Sequence, residues 1–420
     1  MDDRRPRIAL RTLGCKVNRT ESEALADALS GECDVLMDTD ATADVVVVNT
    51  CTVTGEADAK ARKAVRHALS GGSAAVVVTG CLAAVDPDGL RALDPRVIVE
   101  ADRTLLARRV ASIVGASVGE SSAVRRSRTR VMVKVQDGCD RRCSYCIVPD
   151  ARGLPTSVAT TSVIRRVAEL AASNTPEVVL TGINIGRYRD GDGAPDLAAL
   201  VGLVAETGIG RVRISSIEPL DLDERLLSAL SAEPAVVPHL HVPLQSGCDR
   251  TLAEMGRGYD SAHFADILRL ARHALPGLSV TTDVIVGFPG ETDDDFAASM
   301  GFIERAGFTR LHVFRYSPRR GTAAAHRGDQ VPPGVRSARA DAMRGLSDRL
   351  LRAYARTRVG SVTTVCVERT ADGRARGTAD DSLQVDMPVT GLVRGSVARV
   401  RIEGIEGRGL VGTVLESEVR

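Results

Sequence analysis

Residues 133–149 read VKVQDGCDRRCSYCIVP. A short β-like run, VKV, delivers the chain into a loop that spaces Cys139, Cys143 and Cys146 as CxxxCxxC. Soft thiolates suit iron–sulfur clusters, and close spacing lets one loop supply several corners of a single cluster. Zinc is the alternative that the residue types leave open. Zinc, however, usually takes four protein ligands from paired motifs, and no fourth nearby Cys or His completes this trio. Three ligands would leave one iron open to a small molecule.

Downstream of this loop, strand-like VMVKV, EVVLTG, RVRISS, LHVPL, VTTDVIVG and LHVFRY alternate with helical segments such as SVIRRVAELAAS and FADILRLARHAL. Six β/α units in this length predict a partial (β/α)6 barrel, not a complete eight-stranded one. Upstream, RIALRTL, ADVVVVNT, AAVVVTG and RVIVE alternate with ESEALADAL and ADAKARKAVRHAL, the rhythm of a parallel α/β domain. Cys15, Cys51 and Cys81 each fall at the carboxyl edge of a predicted parallel strand, where open α/β sheets bind ligands. Three unrelated buried cysteines would give the same spacing. Past residue 358, VTTVCVE, LQVDMPV, SVARVRIE and GLVGTVL are split by Gly and Asp turns and predict a small all-β domain. The fold class is therefore α/β throughout its main body. An N-terminal parallel α/β domain spans 5–115, a small, polar and basic linker 116–128, the partial barrel 129–357 and the all-β domain 358–420.

At 420 residues the chain can bury several cores. No apolar run reaches the roughly 18 to 20 residues of a membrane span, and MDDRRPRIAL lacks a signal-peptide core. Nine widely spaced cysteines do not form a disulfide framework, so a reducing cytoplasm is expected. The net charge of +1 gives no reason by itself to expect nucleic acid, and its distribution is more informative. Residues 120–152 carry Arg125, Arg126, Arg128, Arg130, Lys134, Arg141, Arg142 and Arg152 for a local net charge of +4, and residues 336–358 reach +5. Clustered arginines can hold a phosphate backbone, although such runs also occur as plain solvated surface. Residues 358–420 are neutral and contain no Phe, Tyr or Trp, so stacking on bases is unavailable there.

The CxxxCxxC loop, with Tyr145 before its third cysteine, resembles that of the radical S-adenosylmethionine (SAM) superfamily. TLGCKVNRTESE, VVNTCTVTGEADAKARKAVR and VVTGC resemble the N-terminal domain of the methylthiotransferases. LTGINIGRY, RISSIEP, HLHVPLQSGCDRTLAEMGRGY, TDVIVGFPGETDDDF and FRYSPRRGTAA resemble their core domain in the same order. The resemblance runs nearly end to end. It implies two 4Fe-4S clusters, one on Cys139, Cys143 and Cys146 and an auxiliary one on Cys15, Cys51 and Cys81. It also implies SAM contacts at Tyr145, Thr181, Gly182, Asn184, Ser215 and Glu218. The all-β segment falls where the family has its RNA-associated TRAM domain, though GTADDSLQVDMPV departs from that pattern. Family members attach a methylthio group to an unreactive carbon: the auxiliary cluster carries the sulfur, one SAM methylates it, and a second SAM yields the radical that activates the acceptor C–H.

GCKVNRTESE, CTVTGEADAK and GINIGRY resemble the branch that modifies threonylcarbamoyladenosine next to the tRNA anticodon. The expected partners are tRNA, an electron donor and a sulfur donor, with no membrane. Isopentenyladenosine in tRNA and an aspartate of a ribosomal protein are the competing acceptors, and an iron–sulfur scaffold or sensor that binds RNA is the non-enzymatic reading. His239 and His241 are read as packing or substrate contacts, and Cys33, Cys248 and Cys366 as structural or free thiols.

Overall fold

The structure, a computed structural model, describes residues 4–39, 43–119, 129–389 and 391–418. The described chain divides into two compact units, neither continuous in sequence. The first joins residues 4–119 to Gly138–Leu154 and Ser317–His326. The second holds residues 129–137, Pro155–Tyr316 and everything described after Arg327.

In the first unit β1 (Arg7–Thr12), α1 (Lys16–Leu29), β2 (Asp34–Met37), β3 (Val45–Thr50), α2 (Gly55–Ser70), β4 (Ala75–Gly80), α3 (Cys81–Val85), α4 (Pro87–Arg91), β5 (Val97–Val99) and α5 (Leu106–Val114) follow in turn. The five strands form one parallel sheet in the order β2-β1-β3-β4-β5. Alternate strand residues feed two cores, as a sheet covered on both faces requires. Ile8, Leu10, Val45, Val47 and Val77 pack with α1 and α5. Ala9, Val46, Val48, Val76 and Val78 pack with α2, α3 and α4. Residues 116–119 stay with this unit, since Ser117 N donates to Glu32 and Gly119 N to the Ala28 carbonyl. Residues 120–128 of the expected linker lie outside the described residues. The unit is completed by the cysteine loop with its short helix α6 (Val148–Arg152), which packs against α3.

The second unit contains β6 (Arg130–Lys134), the short pair β7 (Gln136–Asp137) and β8 (Thr156–Ser157), then β9 (Glu177–Thr181), β10 (Val212–Ile214), β11 (His239–His241), β12 (Ser279–Val286) and β13 (Arg310–Arg315). Between and after them run α7 (Thr160–Ala172), α8 (Leu197–Ala205), α9 (Glu224–Ala232), α10 (Asp249–Glu254), α11 (Ser261–Ala274), α12 (Asp293–Ala306) and the long α13 (Pro333–Arg358). Two parallel sheets, β10-β9-β6 and β11-β12-β13, are joined through the bridges Val212–Val236 and Ser216–His241. The result is a six-stranded half-barrel with β6 and β13 at its edges, as the β/α rhythm predicts.

Strands β14 (Val362–Ala371), β15 (Arg374–Ala379), β16 (Gln384–Pro388), β17 (Val397–Glu406) and β18 (Gly409–Glu418) close into a small barrel. Leu351 and Ala355 of α13 reach into its core beside Val365, Val385, Met387 and Val400. The turn 379–383 of this barrel meets the amino-terminal ends of the half-barrel strands. Arg211 pairs with Asp380, Arg213 donates to the Asp380 and Ala379 carbonyls and to Ser382 Oγ, and Ser279 Oγ donates to the Asp381 carbonyl. Thus the stretch that departs from the TRAM pattern forms a polar seam.

Candidate active site

The strand order β2-β1-β3 reverses the direction of winding between β1 and β3, and open α/β sheets bind ligands at the carboxyl end of such a switch point. Cys15 follows β1 there as the N-cap of α1, Cys51 follows β3, and Cys81 opens α3 directly after β4. Two glycines make this convergence sterically possible. Gly14 has φ +97°, and a Cβ on it would sit 2.5 Å from Cys51 Cβ. Gly80 has φ +89°, and a Cβ there would meet Asn49 Oδ1 and the Thr50 carbonyl at 2.4 Å.

Side-chain amides fix the strand exits. Asn18 Nδ2 donates to the Leu13 and Thr50 carbonyls at 2.8 and 2.9 Å, and Asn49 Nδ2 donates to the Asn18 carbonyl at 2.9 Å. Cys51 and Cys81 are buried, whereas Cys15 is exposed. Burial pushes the Cys51 thiol up to about 11, and the neighbouring Cys81 and Cys15 act in the same direction. Burial likewise raises Cys81, opposed by the cations Arg152 and Arg103. Three converging thiols, two of them shielded from water, fit a metal cluster, because a metal provides the charge that desolvated thiolates otherwise lack.

Arg152, on α6 six residues after Cys146, reaches Cys81 of this arrangement. Its side chain is 1% exposed. Nε donates to Cys81 Sγ at 3.3 Å, Nη1 to Glu21 at 2.9 Å, and Nη2 to Asn18 Oδ1 at 2.5 Å. Arg103 pairs with the same Glu21 at 3.4 Å and donates to the Ala151 carbonyl. A guanidinium can only donate, so Cys81 Sγ faces it as an acceptor.

The CxxxCxxC loop is shaped by its backbone. Cys139 N donates to the Gly153 carbonyl and Cys146 N to the Cys143 carbonyl, each at 3.0 Å. Gly138 has φ +72°, and a Cβ there would lie 2.0 Å from the Leu154 carbonyl oxygen, so only glycine fits. Cys139, Cys143, Tyr145 and Cys146 are all half-buried. The segment 317–326 braces this unit. Ala324 N donates to the Ser144 carbonyl at 2.8 Å, while Arg319 pairs with Asp58 and donates to the Thr52 carbonyl beside Cys51. Sequence reasoning singled out neither Arg319 nor Arg152 as site residues. No cysteine is in a disulfide.

The second unit gathers the other expected contacts at the carboxyl ends of β9 and β10. Thr181, Asn184 and Ser215 are buried. Gln136 Oε1 accepts from Asn184 N at 2.7 Å, and a Cβ on Gly182 would lie 3.0 Å from Gln136. Glu218 is held by the buried guanidinium of Arg257, whose Nε donates to Tyr259. On the concave face below, Glu177 is enclosed by Arg211, Arg213 and Arg130. Burial alone would raise its pKa, but Arg213 and Arg211 outweigh that and hold it at about 2.

The expectation that the basic runs face phosphates is corrected for several members. Arg130 pairs with Glu177 and Glu368, Lys134 with Asp137, Arg152 with Glu21, Arg339 with Glu291 and Arg358 with Asp381. Their charge is spent inside the protein, on a neighbour within the run for Lys134 and on carboxylates elsewhere in sequence for the others. Arg125, Arg126 and Arg128 lie outside the described residues.

The half-barrel and the CxxxCxxC loop define a radical SAM enzyme, which uses SAM and a 4Fe-4S cluster. The Radical SAM superfamily model matches residues 133–303, and that of Uncharacterized protein family UPF0004 matches residues 7–100. The chain is 36% identical to the threonylcarbamoyladenosine tRNA methylthiotransferase MtaB of Bacillus subtilis, over 94% of this chain and 93% of that protein. It is 34% identical to the tRNA-2-methylthio-N(6)-dimethylallyladenosine synthase of Sorangium cellulosum, over 99% of this chain and 91% of that protein. In fold it is similar to the radical SAM methyltransferase TsrM of Kitasatospora setae, with a TM-score of 0.56 at 15% identity over 83% of this chain and 89% of that one. The chain belongs to the radical SAM tRNA methylthiotransferases, enzymes whose substrate is tRNA. No helix among the described residues is long and apolar enough to cross a membrane.

Proposed function

We propose that the protein methylthiolates C2 of N6-threonylcarbamoyladenosine next to the anticodon of tRNA, with SAM as methyl donor and as radical source. The observation that carries this reading is the convergence of Cys15, Cys51 and Cys81 at the β1–β3 switch point, in a chain 36% identical over 94% of its length to the B. subtilis MtaB. In it, Cys139, Cys143 and Cys146 ligate the radical-generating cluster, and Cys15, Cys51 and Cys81 ligate an auxiliary one. When bound, the first cluster supplies the electron that cleaves SAM to a carbon radical able to take hydrogen from an unreactive C–H bond. The chain's own residues orient and enclose. Thr181, Gly182, Asn184, Ser215, Glu218 and Tyr145 hold SAM, with Gln136 fixing the turn after β9 and Arg257 fixing Glu218. Arg152 and Arg103 hold the Cys81 thiolate.

Electrons come from a cytoplasmic reductant and sulfur from a separate donor. Residues 5–115 act as the sulfur-carrying domain, 129–357 as the radical domain and 358–420 as a TRAM-like module. The test is nucleoside mass spectrometry of tRNA from a deletion strain. The reading requires loss of 2-methylthio-N6-threonylcarbamoyladenosine. Its persistence, with loss of the dimethylallyl counterpart, would overturn it.

A further inference from the structure

The concave face of the half-barrel carries a hydrogen-bonded chain outside the SAM-contact group. His239 and His241 on β11, Thr281 and Asp283 on β12, and Arg310 and His312 on β13 project to this face, as the register pairs His241 with Thr281 and Asp283 with His312. Exposure of the side chains rises toward the edge strand, from 9% at His241 through 25% at Asp283 to 43% at His312.

The hydrogens of this chain can be placed from chemistry. Arg310 Nη2 lies 3.2 Å from His312 Nε2, and a guanidinium only donates, so Nε2 accepts. The other ring nitrogen, Nδ1, therefore carries the hydrogen and donates to Asp283 Oδ1 at 3.3 Å. His241 Nε2 donates to the same oxygen at 3.2 Å, leaving its Nδ1 to accept from Thr281 Oγ1 at 2.9 Å. Thr281 Oγ1 in turn accepts from His239 Nε2 at 3.2 Å. Burial would raise the pKa of Asp283, but the two imidazoles hold it below the ordinary carboxylate range.

His241, Asp283 and His312 also have their ligand atoms within 4.8 Å of one another, close enough to surround a metal ion. The tautomer argues against one. A ligating histidine gives its second N–H to an acceptor, whereas the second nitrogen of His312 receives a hydrogen from a cation. A divalent ion here would also face the Arg310 charge.

The other arginines of this face are neutralised. Arg130, Arg211 and Arg213 share Glu177, with Glu368 and Asp380 as further partners. Arg310 has no carboxylate within ion-pair distance among the described residues, and the nearby cation Arg408 is taken by Asp348. A forked donor with no counter-ion, backed by a histidine whose own partner is fixed, suits a carboxylate.

We propose that Arg310, positioned by His312, binds the free carboxylate of the amino-acid substituent on the acceptor adenosine. The inference rests on the reading of the substrate given above, since a threonylcarbamoyl group carries a carboxylate and a dimethylallyl group carries none. Arg310 is then a specificity determinant, and Asp283 with His241 holds His312 in its accepting tautomer.

The experiment is fluorescence anisotropy of the full chain with anticodon stem-loops bearing threonylcarbamoyladenosine, its methyl ester, dimethylallyladenosine or unmodified adenosine. Wild type should bind the acid about tenfold more tightly than the ester, the loss of one charged hydrogen-bonded partner. Arg310→Gln should bind acid and ester equally, with Arg310→Lys between. Equal wild-type affinity for acid and ester would overturn the inference without reference to any variant's folding. Preserved discrimination in Arg310→Gln would also overturn it. So would an equal loss on the unmodified stem-loop, which would assign Arg310 to a phosphate. If wild type prefers the acid to the dimethylallyl stem-loop but ignores esterification, only this inference fails. If it does not prefer the acid to the dimethylallyl stem-loop, the substrate reading fails.

Discussion

Arg152 Nε lies 3.3 Å from Cys81 Sγ, so the helix that follows the CxxxCxxC loop donates a hydrogen bond to a cysteine of the other trio. Donors and positive charge near a cluster sulfur stabilise its reduced, more negative state and raise the reduction potential. Arg152→Met should therefore lower the potential of a cluster held by Cys15, Cys51 and Cys81 by on the order of 50 mV, the one-electron equivalent of about 1 kcal/mol. The measurement is an EPR-monitored redox titration in a background where Cys139, Cys143 and Cys146 are replaced by alanine. An unchanged midpoint with full iron content would show that the contact is only structural.

The glycines before Cys15 and Cys81 make a separate claim. Gly14 and Gly80 have φ near +90°, and an added Cβ would collide with Cys51 and with Asn49 and Thr50 respectively. Gly14→Ala and Gly80→Ala should each cost about 1 to 3 kcal/mol of stability. Iron in the same three-alanine background should fall as the trio is forced apart. Gly119→Ala, with open space around its Cβ position, is the control and should change neither quantity.

Much of this architecture was legible in the sequence, for identifiable reasons. Parallel strands covered on both faces read as unbroken apolar runs, so VVVVNTC and VVVTGC declared both the strands and the cysteines at their carboxyl ends. The six β/α units and the all-β tail were equally open to a reading of periodicity. Arg152 was not, because its partners Glu21 and Asn18 lie more than a hundred residues upstream and no local pattern encodes such a pairing. It therefore read as one more charge in a basic run. The turn 379–383 was obscure for the same reason: Asp380 and Asp381 answer to Arg211, Arg213 and Arg358, on distant elements. His239 and His241, read as packing or contact residues, do pack within a polar chain, but His312 and Arg310 were not associated with them.

The seam at that turn gives a mutational prediction. Asp380 pairs with Arg211, whose side chain is buried, and accepts from Thr364 N. Asp380→Ala leaves Arg211 with Glu177 alone and removes an acceptor, so it should destabilise the protein by about 3 kcal/mol, the usual cost of breaking a shielded pair from one side. Asp386→Ala removes an exposed pair with Arg376 and should cost less than about 1 kcal/mol. Urea denaturation measures both, and equal losses would contradict the distinction.

Glu177 supplies a pH signature. Its folded pKa of about 2 lies below the ordinary 4.5, because Arg213 and Arg211 outweigh the effect of burial. A depressed acid stabilises the native state above its unfolded pKa, and that contribution disappears as pH falls through the folded value. The contribution is thus complete above about pH 5 and lost between there and pH 2. Arg213→Met weakens the opposition to burial, raises the folded pKa and shrinks the difference on which the slope depends. The variant should be less stable than wild type at pH 7, and the gap should narrow as pH falls toward 3. Thermal unfolding across pH 3 to 7 measures this, and a gap independent of pH would show that Arg213 acts by packing alone.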